Sequence, residues 1–242
     1  MLYKYQIDIT EVSKWMNMQS LTSSNNHYGN YASKCTSHLM KQFKTYKKGA
    51  ILDGKGISNI FFPTNFRSNF KVFISHSGKD KEIVKEFTNI INDKYKIPCF
   101  VDWMVWDNIK TLQEIIDKEF CVSRRDCNGN ILTFDYESRN YSTAHTHAML
   151  SMALLDMIDQ CDICLFIKSE NSTLPKADFG MVTTLSPWIY EEISYMNHIE
   201  KRRQYYSEGV ENVPQISHPL DLDGFIKLTA QSLIPKLKHC ND

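Results

Sequence analysis

Lys71 to Asp80 reads KVFISHSGKD, an apolar β-type run that stops at a small polar loop and passes into a charged segment. Val72, Phe73 and Ile74 are continuously apolar, the pattern of a parallel strand covered on both faces by crossover helices. Ser75, His76, Ser77 and Gly78 break the run. Asp80 and Glu82 then fall in a first helical turn, where carboxylates suit the positive end of the macrodipole. Ile83, Val84, Phe87, Ile90 and Ile91 recur at helical spacing behind them.

A second strand is predicted at Ile97 to Asp102 (IPCFVD), after the intervening helix. Ligands of open α/β sheets bind beyond the carboxyl ends of the strands, so His76, Ser77, Asp102 and Trp103 are expected on one rim. Further along, Ile163 to Ile167 within CDICLFIKSENS reads as a buried strand that ends in a polar loop. SPWIYEEISYMNH, Ser186 to His198, then starts a helix with Pro187 suited to its first turn. Trp188 and Glu192 are four residues apart and lie one above the other on that helix, and Glu191, three from Trp188, shares that side.

VFISHSGKD followed by a helix and CFVDW, with SPWIYEE after a later strand, resembles a bacterial Toll/interleukin-1 receptor (TIR) domain of the kind that cleaves NAD+. The resemblance covers roughly residues 70–199, and its motifs are specific as an ordered set rather than singly. It implies an α/β fold with a flavodoxin-like doubly wound parallel sheet over residues 70–242, carrying loop insertions at 103–142 and 173–185. It further implies an NAD+ nucleosidase or ADP-ribose cyclase that releases nicotinamide, of the type acting in anti-phage defence through a nucleotide signal or NAD+ depletion. NAD+ is then a substrate, no cofactor is needed, and a homo-oligomer and a downstream effector protein are the expected partners.

The WxxxE spacing of the resemblance makes Glu192 the candidate catalytic carboxylate. Cleavage of a glycosidic bond passes through an oxocarbenium-like sugar, which a nearby carboxylate stabilises; Glu192 would either offset that charge or fix the ribose hydroxyls. Trp188 would shape the wall against which the pyridinium stacks. Ser77 and Gly78, with Lys79, would approach the phosphates through backbone N–H groups. Asp102 would bind a ribose hydroxyl or cap the next turn, and His76 would line the pocket or serve as a hydrogen-bonded structural residue. A receiver domain would need paired acidic residues after the first strand and a dinucleotide-binding dehydrogenase would need GxGxxG; this chain has SHSG. The reading from a different class is a non-enzymatic module that acts by TIR–TIR assembly.

Composition sets the outer limits. The chain has 242 residues, 42% of them hydrophobic, with 28 basic residues balancing 28 acidic ones. That is enough for one large domain, and the balance gives no electrostatic case for nucleic acid or an anionic membrane. No apolar run approaches the length of a membrane span, and MLYKYQIDIT lacks a signal-peptide core, so a cytoplasmic protein is expected. Cys161 and Cys164 form a CxxC with no second pair to complete four ligands, so the cysteines are read as reduced and no metal is expected.

Residues 1–69 are read as an N-terminal helical extension, with helices at Ile9 to Met18 and Tyr31 to Tyr46 and a glycine-punctuated connection at Lys48 to Gly56. Thr111 to Phe120 suggests a short helix and CNGN, Cys127 to Asn130, a turn. Ser142 and Thr143 are N-cap candidates for the helix that carries His145 and His147.

Overall fold

The computed structural model describes residues 2–19, 53–61, 70–101, 103–174, 182–200 and 218–238. The expected helix at Tyr31 to Tyr46 and Asp102 lie outside them. The chain divides into two units, residues 1–26, 69–102 and 155–242 in the first and residues 27–68 and 103–154 in the second.

The first unit is an α/β fold of the flavodoxin-like class, built on a parallel sheet of five strands flanked by helices. In chain order its strands are β1 (Tyr3–Asp8), β2 (Val72–Ser75), β3 (Cys99–Val101), β6 (Ile163–Lys168) and β9 (Ile226–Leu228). They lie in the order β3-β2-β6-β1-β9, and every pairing is parallel. The three strands expected from the apolar runs are all present. Their residues are almost completely buried, with Val72, Phe73, Ile74, Phe100, Val101, Leu165 and Phe166 at 0% exposure.

The opening residues correct the expected N-terminal extension. Tyr3–Asp8 is not outside the domain but forms β1, hydrogen-bonded between β6 and β9. The physical reason is visible in YKYQID: Tyr3, Tyr5 and Ile7 alternate with polar residues, the period of a strand. Helix α1 (Ile9–Gln19) follows directly, as the periodicity of that segment predicts, and Asp8 caps it by accepting from the Thr10 N–H at 3.1 Å.

Chain direction assigns the helices to faces. The steps from β1 to β2 and from β2 to β3 run one way across the sheet, and the step from β6 to β9 runs the other. Right-handed crossovers put their helices on opposite faces. Helix α3 (Lys81–Tyr95) accordingly packs with α1, the Trp15 and Phe87 rings meeting edge to face at 5.5 Å. Helix α6 (Pro187–Glu200) covers the other face, and the short helix α7 (Leu233–Lys238) closes the unit.

Side chains in register share a sheet face. Phe100, Phe73, Cys164 and Lys4 therefore form one row across β3, β2, β6 and β1, and Ser75, Phe166 and Gln6 form the next row toward the carboxyl ends. Helix α6 meets the first row at Lys4 and the second at Ser75.

The second unit contains α2 (Gly54–Phe61), α4 (Trp103–Phe120), the hairpin β4 (Val122–Arg125) with β5 (Ile131–Phe134), and α5 (Tyr136–Gln160) up to Leu154. The short helix expected at Thr111 begins instead at Trp103, and the glycine-punctuated connection enters a helix at Gly54. There Asp53 supplies the cap, accepting from the Lys55 N–H at 3.0 Å. The CNGN turn forms as expected, with Gly129 at φ +84°, a conformation that suits glycine. Ser142 and Thr143 are not N-caps. Helix α5 starts earlier, capped by Asp135, which accepts from the Ser138 N–H at 2.8 Å and the Ser138 hydroxyl at 2.6 Å. Ser142 is instead buried on the helix and bonded to Asp117 of α4 at 3.0 Å, while His145 and His147 are exposed in mid-helix.

A further antiparallel pair in the first unit, β7 (Thr183–Thr184) with β8 (His218–Pro219), leads the chain into α6.

Candidate active site

Helix α6 starts as its sequence dictates. Ser186 caps it by accepting from the Ile189 N–H at 3.3 Å, and Pro187 occupies the first helical position, where no N–H is needed. Ile189, Glu192, Ile193, Met196 and Asn197 are its buried residues. At about 100° per residue they span an arc of about 140°, with Glu192 on one edge and Asn197 on the other.

The Glu192 edge reaches β2. Ser75 Oγ donates to Glu192 Oε2 at 2.6 Å, and both residues are at 0% exposure. The Asn197 edge reaches β1, where Lys4 Nζ donates to Asn197 Oδ1 at 2.8 Å. Helix α6 thus crosses the sheet diagonally, from the carboxyl end of β2 to the amino end of β1.

Ser75 is the last residue of β2, the strand from which the chain departs toward β3 on one side while β6 joins it on the other. Such a reversal of strand order is where open α/β sheets bind ligands. His76 and Ser77 follow there, both buried, and Gly78 and Lys79 are exposed. The Ser77 hydroxyl accepts weakly from the Lys79 N–H at 3.4 Å, capping a 3₁₀ turn at Gly78–Asp80. A side chain placed at Gly78 would meet open space.

Asp80 stands at the start of α3, as the sequence suggests, but makes no side-chain cap hydrogen bond there. Its carboxylate accepts from Ser169 Oγ at 2.5 Å and from Asn171 Nδ2 at 2.7 Å, tying the loop after β2 to the loop after β6. The second loop closes on itself, with Ser172 Oγ accepting from the Ser169 N–H at 2.8 Å.

Trp188 lies one turn before Glu192 and is half-buried. Glu191 points elsewhere, accepting from the Tyr195 hydroxyl at 2.7 Å. The structure brings Glu192, Ser75, His76 and Ser77 to one end of the sheet. Trp103 starts α4 in the second unit, and Asp102 is outside the described residues. A groove of about 600 Å³ between α1 and α3 is lined by Ser13, Met16, Asn17, Glu82, Lys85 and Asn89 and includes none of the expected site residues.

Three residues of this region escape sequence reading. Ser75 passes for the end of a strand, Lys4 for a surface lysine, and Asn197 for a polar residue on a helix; the alternation of Tyr3, Tyr5 and Ile7 was the available signal for Lys4 lying within a sheet. Lys4 is only 4% exposed, and its ammonium also stands 5.2 Å over the Phe225 ring. Cys164, beside Lys4 in register, has its thiol pushed well above the ordinary range by burial and by the neighbouring Cys161 and Glu192, against the opposing effect of Lys4.

The cysteines of the CxxC are both buried and free, and burial pushes the Cys161 thiol up to about 12. Among the described residues no group of three or more His, Cys, Asp or Glu side chains is arranged to hold a metal ion. No helix among them is long and apolar enough to cross a membrane. No protein-family model, curated protein or solved structure matches this chain.

Proposed function

We propose that the chain is a TIR-type enzyme that cleaves NAD+ at the nicotinamide glycosidic bond, with Glu192 as its carboxylate. The observation that carries the reading is the Ser75–Glu192 hydrogen bond, which sets a carboxylate beside the strand-order reversal of a parallel sheet. In the reaction the bond between ribose C1′ and the pyridinium nitrogen breaks, and nicotinamide leaves with the bonding electron pair. The positive charge left on the ribosyl group is what Glu192 would face. Water adding at C1′ and losing a proton gives ADP-ribose; attack by a nitrogen of the same molecule's adenine gives a cyclic product.

Glu192 is enclosed in this state, so catalysis requires the loops after β2 and β6 to part. The Asp80 bonds to Ser169 and Asn171 are the fastening that has to yield. Trp188, His76, Ser77 and Gly78 would then border the substrate, with nicotinamide against the indole and the phosphates near the backbone of the loop after β2. A homo-oligomer would supply the activating rearrangement, in the cytoplasm, where NAD+ is available and a nucleotide product could reach an effector in anti-phage defence.

The same enclosure favours a second reading, in which Glu192 is a polar bridge between α6 and β2 and the domain works by TIR–TIR assembly alone. Chromatography of NAD+ incubated with concentrated protein separates the two. Release of nicotinamide by the wild type, lost in Glu192→Gln, is the enzymatic outcome; intact NAD+ with an assembled protein is the other.

A further inference from the structure

We propose that Lys4, from the N-terminal strand, is the counter-charge for Glu192 and so a positioning residue for its carboxylate; its catalytic meaning rests on the NAD+ reading above. Among the described residues Lys4 is the only lysine or arginine that is buried, and Glu192 is the most completely buried acid. They belong to the same layer. Lys4 is in register with Cys164, Cys164 with Phe73, and Ser75 lies two residues beyond Phe73 on the same sheet face.

Helix α6 spans this layer and holds both ends of it, Glu192 on Ser75 and Asn197 on Lys4. The two anchor residues are separated by about 7.5 Å along the helix axis. Cys164 lies between the two charges and feels both, Lys4 stabilising its thiolate and Glu192 opposing it. Charges buried in one layer are screened far less than surface pairs. Among the described residues Cys164 on β6 is the group on which both Glu192 and Lys4 act.

This gives the N-terminal strand a task beyond completing the sheet. Asn197 fixes Lys4, its own amide donating to the Asp221 carbonyl at 2.8 Å, and the Phe225 ring bounds the ammonium. Lys4 is thereby held as a stationary positive group rather than a mobile one.

The test is a double-mutant cycle in thermal unfolding with Lys4→Met, Glu192→Gln and the pair. Lys4→Met should lower the midpoint by at least about 4 °C more when Glu192 is present than in the Glu192→Gln background, because only with the acid in place does it strand a buried carboxylate. Equal losses in both backgrounds overturn the inference. If Lys4→Met fails to fold in both, Lys4→Gln is run through the same cycle, and equal losses in both backgrounds again overturn the inference. In the NAD+ assay Lys4→Met should slow nicotinamide release at least tenfold at neutral pH and move the acidic limb of the rate profile to higher pH, with KM little changed. Coupling in the cycle together with no nicotinamide release from the wild type sustains the Lys4 pairing and removes the NAD+ reading, so the two fail separately.

Discussion

The Ser75 hydroxyl and the Glu192 carboxylate meet at 2.6 Å inside the protein, joining the last residue of a central strand to the face of the helix that covers it. A hydrogen bond to a buried carboxylate contributes more than a neutral one, and removing its donor leaves the acceptor to bear the desolvation cost. Ser75→Ala should therefore cost about 2 kcal/mol in urea unfolding. It should also reduce nicotinamide release about tenfold, since one hydrogen bond no longer orients the carboxylate.

Glu191 provides the matched control for Glu192. It is half-exposed and bonded to Tyr195 on the same helix, a kind of contact worth a few tenths of a kcal/mol. Glu191→Gln should leave both unfolding and nicotinamide release within about twofold of wild type. A loss as large as that of Glu192→Gln would transfer the catalytic assignment to Glu191.

Asp8 caps α1 at the carboxyl end of β1, and its removal should cost about 1 kcal/mol. Burial opposes its ionisation, but the Thr10 hydroxyl and N–H, with Lys168 and Lys227, hold its carboxyl below the ordinary 3.8. A carboxyl with a depressed folded value stabilises fully above its unfolded value and loses that contribution as pH falls through the folded one. The difference in stability between wild type and Asp8→Asn should accordingly be constant from neutral pH down to about 5 and shrink below about 4. A difference that grows on acidification would contradict this assignment.

The described cysteines differ enough to be told apart chemically. Cys99, Cys121, Cys161 and Cys164 are buried, and Cys127 is exposed in the turn of the β4–β5 hairpin. With its thiol near 12, Cys161 is about 10⁻⁴ thiolate at pH 8. Brief iodoacetamide treatment of the native protein, read by peptide mass spectrometry, should label Cys127 and spare the other four. Labelling of Cys161 or Cys164 at a comparable rate would show that the strand they border opens readily.

In the second unit Asp117 is buried and accepts from Gln113 Nε2 at 2.8 Å, Arg139 Nε at 3.0 Å and Ser142 Oγ at 3.0 Å. Asp117→Ala strands these donors and should destabilise the protein by about 2–3 kcal/mol in urea unfolding, whereas Arg139→Ala, at the half-exposed end of the pair, should cost about 1 kcal/mol.

What was legible in the chain followed from burial. KVFIS, PCFV and ICLFIK announce themselves because a strand covered on both faces needs an unbroken apolar run, and the structure places all three in the sheet. β1 carries the same topological weight but contains Lys4, whose polarity disguises a residue that is buried against Asn197. Glu192 and Trp188 were legible from helical spacing, and Ser75 was not, because nothing local in the strand indicates which helix residue will pack against its last side chain. Asp80 falls at a helix start as expected, but its partners were not legible for the same reason: only the arrival of the loop after β6, far along the chain, brings Ser169 and Asn171 to its carboxylate. Ser142 resembled a cap until Asp135 took that position nearer the start of the segment.

The most direct test is the rate of nicotinamide release from NAD+ by concentrated wild-type protein beside Glu192→Gln, both first shown to be folded. Release by the wild type that falls at least about 100-fold in the variant is the predicted result. Equal release by the two proteins would remove Glu192 from the chemistry, and no release by either, with the wild type assembled, would leave the domain as an assembly module.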